Sequence, residues 1–230
     1  MDDVASGGRP LQDWLASNLG LNCPIALDAR RQHGAVHRLD RGTSGILLCA
    51  RTYQGYYEAQ LCFAARRVTK DYLCLCHGHV AGIFPRLLEA PLQVMGRPGA
   101  RRSAASAGGL RACTELLAAA KLIGPEGDRL SLVWVSLHTG RLHQIRAHLS
   151  NEGHSLVGDV TYGGCSRPWC ARIFLHALRL RIDPQPGGMG GPLDVRSPLP
   201  PDLMRALSAQ VPVDAPSRAL AHAAATGALP

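Results

Sequence analysis

The chain has 230 residues, 46% of them apolar and only 5% aromatic, which is enough for one substantial domain with an aliphatic core. Its formal charge is +8, and because Lys70 and Lys121 are the only lysines, arginine carries almost all of it. Guanidinium forks suit phosphates and base edges, so a polyanionic partner is expected. No run approaches the roughly 18 apolar residues of a membrane span, so a soluble, intracellular protein without a membrane partner is expected, as a monomer. Asp2 and Asp3 argue against a transit peptide.

In chain order, "LQDWLASNLGL" sets Leu11, Trp14, Leu15 and Leu19 at helical spacing, and residues 22–35 read as a loop. Gly45 to Ala50 reads as a buried apolar strand. Tyr57, Leu61 and Ala64 then mark the inner side of a helix from Tyr53 to Arg66. "KDYLCLCHGHV" alternates with period two and is a strand, with Tyr72, Cys74 and Cys76 on one face. Residues 85–110, rich in Gly, Pro, Ser and Arg, read as a flexible loop that includes Arg101 and Arg102. A strand is predicted from Arg129 to Leu137. A helix follows over "RLHQIRAHLSNEG", with Leu142, Ile145 and Leu149 inward and Gly153 as its stop. After a strand over Arg172 to Ile182 come a loop at "PQPGGMGGP", a short helix near 201, and an Ala- and Pro-rich end, from about 211, read as disordered. Strands and short helices without βαβ regularity favour α+β.

The eight cysteines, several inside apolar runs, read as reduced thiols. "CLCHGH" lacks the paired-ligand spacing of zinc sites, so no metal is expected there. Two islands of polar residues sit beside core segments, where unpaired charge is expensive. One holds His37, Arg38, Asp40, Arg41, Thr43 and Ser44; the other holds His138, Thr139, Arg141, His143, Gln144, Arg146 and His148. The plain alternatives are a surface turn with an arginine pair for the first and an exposed helix face for the second.

Taken together, "HRLDRGTSG", "KDY", "TGRLHQIRAHL", "GHSLVGDVTYGG" and "FLHALRL", in that order, closely resemble the RluA-type family of RNA pseudouridine synthases. The resemblance implies a mixed, largely antiparallel sheet with flanking helices and a central cleft, over a catalytic domain from 36 to 200. It also implies an enzyme that isomerises uridine to pseudouridine in rRNA or tRNA. By the same resemblance Asp40 is the catalytic carboxylate, Tyr72 and Arg146 complete the catalytic set, and Arg38 fills the place of a flipped base. His37, Arg41, Thr43, Arg141, His143 and Gln144 form the expected RNA-contacting set. Residues 1–35 lack the strand and the Lys-Pro segment that the family places before "HRLD", and no separate small amino-terminal RNA-binding domain is recognisable.

The chemistry agrees. Rejoining uracil to ribose through C5 needs an ionised carboxylate beside the sugar and base, and a guanidinium favours that charge. No group is added or removed, so no cofactor is required. A uridine within a helix must also be extruded, at a few kcal/mol. Two rivals are a protein of this fold that binds RNA without turnover, and a hydrolase, which would lack a Ser-centred elbow or a metal-ligand helix.

Overall fold

The structure, a computed structural model, describes residues 10–184 and 191–229. They group into two units, one drawn from Met1–Leu39, Leu47–Val68 and Ile182–Leu193, the other from Asp40–Ile46, Thr69–Arg181 and Asp194–Pro230. Asp2, Asp3 and residues 185–190 of the "PQPGGMGGP" stretch lie outside the described residues.

In the first unit, helix α1 (Leu11–Leu19) forms where its spacing predicts, with Leu15 buried. Residues 22–35 hold two 3₁₀ segments, Pro24–Leu27 and Ala29–Gly34, in place of a plain loop. Pro24 pre-sets the first, and the Asp28 carboxylate accepts the Arg30 N–H at 2.9 Å to open the second. Helix α2 (Tyr53–Ala64) starts at Thr52, whose hydroxyl accepts the Gly55 N–H at 3.0 Å. Its inner line is Tyr56 and Cys62, whereas Tyr57 and Leu61 are exposed, contrary to the spacing argument. The pattern is weakly amphipathic, and Tyr57 gains an outside partner in Arg31, whose Nε donates to its hydroxyl at 2.8 Å. The strand expected over Gly45 to Ala50 is also corrected. Strand β1 is only Ser44–Gly45, and residues 46–50 are half-buried and irregular, with one bridge from Cys49 to Ala35.

The second unit carries an eight-stranded mixed sheet, α+β as expected. Strand β2 (Val68–His77) pairs antiparallel with β7 (Arg129–Leu137), and β7 with β6 (Thr114–Ile123). Two short strands, β3 (Arg86–Leu88) and β10 (Val211–Pro212), also join β6. On the other side of β2 lies β8 (Leu175–Ile182), which takes β1 in parallel and β9 (Leu193–Arg196). Leu73 opposite Trp134, and Leu75 opposite Leu132, turn one face of β2 into the main core, with Leu122, Leu130, Phe174 and Leu178. Each such side chain contributes about 1.5–3 kcal/mol by leaving water. Tyr72, Cys74 and Cys76 point to the opposite face, as the alternation predicts.

Helices α4 (Pro201–Ser208) and α5 (Ala215–Thr226) pack on the core face. The second replaces the expected disorder. Asp214 caps it by accepting the Ser217 N–H at 2.8 Å, alanine favours the helix, Ala224 is fully buried, and Ser217 Oγ accepts the Lys121 N–H of β6 at 2.8 Å. Residues 85–110 are likewise ordered. Besides β3 they form a hairpin, β4 (Leu92–Met95) and β5 (Arg102–Ala105), anchored by the buried Leu92 and Ser103. Helix α3 (Gln144–Asn151) packs on β5 and β6. It begins three residues later than expected, because His143 sits in the left-handed region at φ 51°. All six residues from Gln144 to Leu149 are buried, and the helix reaches solvent in its last turn, at Ser150 and Asn151.

Candidate active site

Asp40 opens a tight loop that ends on β8. The Thr43 N–H donates to the Asp40 carbonyl at 3.0 Å, and Ser44 and Gly45 then pair with His176 and Ala177. Gly45 has φ +113°, and a Cβ there would lie 2.2 Å from the Ala177 carbonyl oxygen, so only glycine allows this approach. Arg172 clamps the loop, donating to the Gly42 carbonyl at 2.7 Å and to Ser44 Oγ at 3.0 Å while Asp202 holds its Nε at 2.7 Å. His176 closes the arrangement from below. Its Nε2–H donates to the Ser197 carbonyl at 2.9 Å, leaving Nδ1 to accept the Ser44 hydroxyl at 2.9 Å, and burial lowers its pKa to favour that neutral ring. The loop is therefore braced at four points before its carboxylate meets anything.

That carboxylate, with 19% of its side chain exposed, has Oδ2 3.8 Å from Nη1 of Arg146. Arg146 is itself fixed from two directions by one 3₁₀ turn, Val160–Tyr162, and the residue before it. Asp159, whose side chain is fully buried, accepts from Nε at 2.6 Å and from Nη2 at 2.8 Å, a bidentate pair that leaves Nη1 toward Asp40. The Tyr162 ring lies against the guanidinium face, 4.9 Å from Cζ to centroid. Burial opposes the positive charge, but the Asp159 hydrogen bond and the Asp159 and Asp40 charges outweigh it, so Arg146 holds its proton more firmly than usual. A cation so held beside a partly exposed carboxylate can stabilise the charge on that carboxylate.

Tyr72 reaches the same neighbourhood from β2, opposite Val135, and is 8% exposed. Burial, then the nearby Asp40 charge, pushes its phenol well above the ordinary tyrosine range, so it stays neutral across the physiological range. The structure thus brings Asp40, Tyr72 and Arg146 together from three segments far apart in the chain.

The other expected residues divide. Arg41 and Arg141 are exposed, and Arg141 Nε donates to the Arg111 carbonyl at 3.0 Å. His143 is half-buried, with Nδ1 3.2 Å from the Tyr162 hydroxyl. Gln144 lies beneath the site and not in it. It is 3% exposed, its oxygen accepts from Thr139 Oγ1 at 2.7 Å and the Arg141 N–H at 3.0 Å, and its amide donates to the Cys113 carbonyl at 3.0 Å and Thr114 Oγ1 at 2.8 Å. Direct RNA contact is therefore corrected to a role in holding the turn before α3. The Thr43 hydroxyl is also buried, which takes it off the surface. In the first unit, Arg38 is exposed, while His37 Nε2 accepts the Leu48 N–H at 3.0 Å and its ring lies 5.4 Å from Phe63, a packing role. Cys74 and Cys76 are fully buried thiols donating to carbonyls of β7, with pKa values raised by burial.

Sequence reasoning missed Asp159 and Tyr162. The acid and the aromatic of "GDVTYGG" were visible 13 and 16 positions after Arg146, but nothing local says that a turn carries them back under α3.

Residues 12–151 match the family described as RNA pseudouridylate synthase. Over 161 residues the chain is 37% identical to the human RNA pseudouridylate synthase domain-containing protein 1, covering 64% of this chain and 49% of that one. It is 38% identical over 202 residues to an uncharacterized RNA pseudouridine synthase of Chloroflexus aurantiacus, covering 85% of this chain and 59% of the relative. The chain therefore spans roughly half the length of these relatives. A solved structure of human RNA pseudouridylate synthase domain containing 1 is similar over 86% of each chain, with a TM-score of 0.65 and 29% identity.

Proposed function

The chain belongs to the RNA pseudouridylate synthase family, and from that premise we propose that it isomerises uridine to pseudouridine in rRNA or tRNA, with Asp40 as the catalytic carboxylate. One observation carries the reading: Asp40 stands 3.8 Å from a guanidinium that Asp159 holds by its other two nitrogens. In the reaction the N1–C1′ bond breaks, the uracil turns, C5 bonds to C1′, C5 loses its hydrogen as a proton, and N1 ends protonated. Atoms and electrons balance without a metal or an organic cofactor. Asp40 acts at the ribose, Arg146 steadies its charge, and the neutral Tyr72 ring stacks on the uracil.

The target must leave any helix it occupies, and Arg38 takes the vacated place. Arg41, Arg141, Arg101 and Arg102, all exposed, supply phosphate contacts and hence salt-sensitive affinity. Gln144, Thr43 and His37 serve as supports from within the fold.

The test is release of tritium to water from cellular RNA labelled at C5 of uridine, with Asp40→Asn beside the wild type. Release by the wild type alone supports the isomerase and its carboxylate together. RNA binding by both proteins with release by neither would replace this reading with a binder that does not turn over. Free uracil among the products would point to a hydrolase.

A further inference from the structure

Arg146 has two supports, Asp159 at its edge and Tyr162 under its face, and the second reaches beyond the site. The Tyr162 hydroxyl accepts the Ser103 N–H of β5 at 2.8 Å and lies 3.2 Å from His143 Nδ1, the residue that opens α3. Ser103 Oγ donates to the Leu142 carbonyl at 2.6 Å. A single hairpin residue therefore holds both the ring beneath the Arg146 guanidinium and the turn that leads into its helix. Immediately before Ser103 stand Arg101 and Arg102, both exposed. Ser103 itself is 1% exposed, so the charge faces out and the linkage lies within.

We propose that Tyr162 is a positioning residue that links engagement of the β4–β5 hairpin by RNA to the placement of Arg146 beside Asp40. The inference rests on the isomerase reading above. Its motive is distance: 3.8 Å between Arg146 Nη1 and Asp40 Oδ2 exceeds the 2.7–3.2 Å of a formed N–H···O bond, and catalytic contacts of this kind tighten when substrate binds. Phosphates on Arg101 and Arg102 would press the hairpin, and Ser103 would pass a small shift to the phenol and to Leu142. The guanidinium, pivoting on Asp159, then closes on Asp40. The contacts from Ser103 through Tyr162 to Arg146 run between protein groups, so cutting them should lower turnover and not RNA affinity.

The experiment is a double-mutant cycle read by tritium release from C5-labelled cellular RNA, with filter binding and a thermal melt on each protein. Tyr162→Phe keeps the ring under Arg146 and removes the hydroxyl. A lost hydrogen bond of ordinary strength predicts kcat lower by about tenfold with KM and RNA affinity within about twofold. Arg101→Ala with Arg102→Ala should raise KM and also lower kcat. In the Tyr162→Phe background that kcat effect should vanish, because the linkage is already cut. Ser103→Ala, which breaks only the Leu142 contact, should lower kcat in the same direction and serves if Tyr162→Phe melts early. Additive kcat effects, or a Tyr162→Phe defect confined to melting temperature and KM, would overturn the linkage. If the wild type itself releases no tritium, the isomerase reading fails first and this inference falls with it, an outcome distinct from additivity in an active enzyme.

Discussion

Two carboxylates face Arg146, and changing each to asparagine separates chemistry from architecture. Asp159 is fully buried and bidentate, at 2.6 and 2.8 Å. In Asp159→Asn the new amide would keep one acceptor and turn its NH₂ group against a guanidinium N–H, leaving a nearly buried cation short of its partner. Breaking a buried pair in this way costs about 3–5 kcal/mol. For a chain of this size, with roughly 2–4 °C per kcal/mol, the melting temperature should fall by about 6–20 °C. Asp40 is different, since it is partly exposed and its 3.8 Å pair is too long for a hydrogen bond. Its loss should stay within about 1 kcal/mol. Activity reverses the order of the two. Asp40→Asn should release no tritium, whereas Asp159→Asn keeps the proposed catalytic carboxylate and should lose on the order of a hundredfold in kcat through a misplaced guanidinium. Thermal melts followed by circular dichroism, with tritium release assayed well below both midpoints, check the pair. Equal destabilisation by the two changes, or an Asp159→Asn protein with normal melting and kcat, would refute the reasoning.

Gly45→Ala should destabilise the protein by about 1–3 kcal/mol and depress turnover, because φ +113° and the Ala177 carbonyl oxygen at 2.2 Å leave no room for a methyl group; a denaturant melt equal to wild type would contradict this. His148 and His176 are both held neutral by burial, with folded pKa values below the ordinary 6.5. Their contribution is therefore complete above about pH 6.5 and is lost as the pH falls through that value toward the folded pKa values. Urea midpoints should decline from about pH 7 to 5, and less steeply in His148→Gln or His176→Gln; a flat profile would count against the assignment. Replacing Arg101 and Arg102 together with alanine should reduce the slope of log affinity against log salt by roughly 1.5–2. An unchanged slope in filter binding would take the hairpin off the RNA.

By itself the sequence determined the fold class and the order of the motifs, and its family resemblance singled out Asp40, Tyr72 and Arg146, which lie near one another in the structure. Period-two alternation placed Tyr72 on the face away from Leu73, and the register with β7 agrees. Periodicity also located α1, β7 and the core of α3, because each pattern repeats within a few residues of itself. What it could not show depended on contacts between distant segments. Only folding decided that Gln144, polar and on a helix beside Arg146, would be sealed beneath the site by Thr114, Cys113 and Thr139. The Gly- and Ser-rich stretch became a hairpin because a few side chains, Leu92 and Ser103 among them, find buried partners that composition does not reveal. The alanine-rich end became α5 because β6 offers Ser217 and Ala224 a surface. Asp159 and Tyr162 are the clearest case. Alone they are an acid and a phenol on a short turn, and it is the turn's position under α3 that makes them the edge and the floor of the arginine facing Asp40. Residue type and spacing can specify a reactive group, but the orientation of its partner is set by what packs behind it, which is a property of three dimensions.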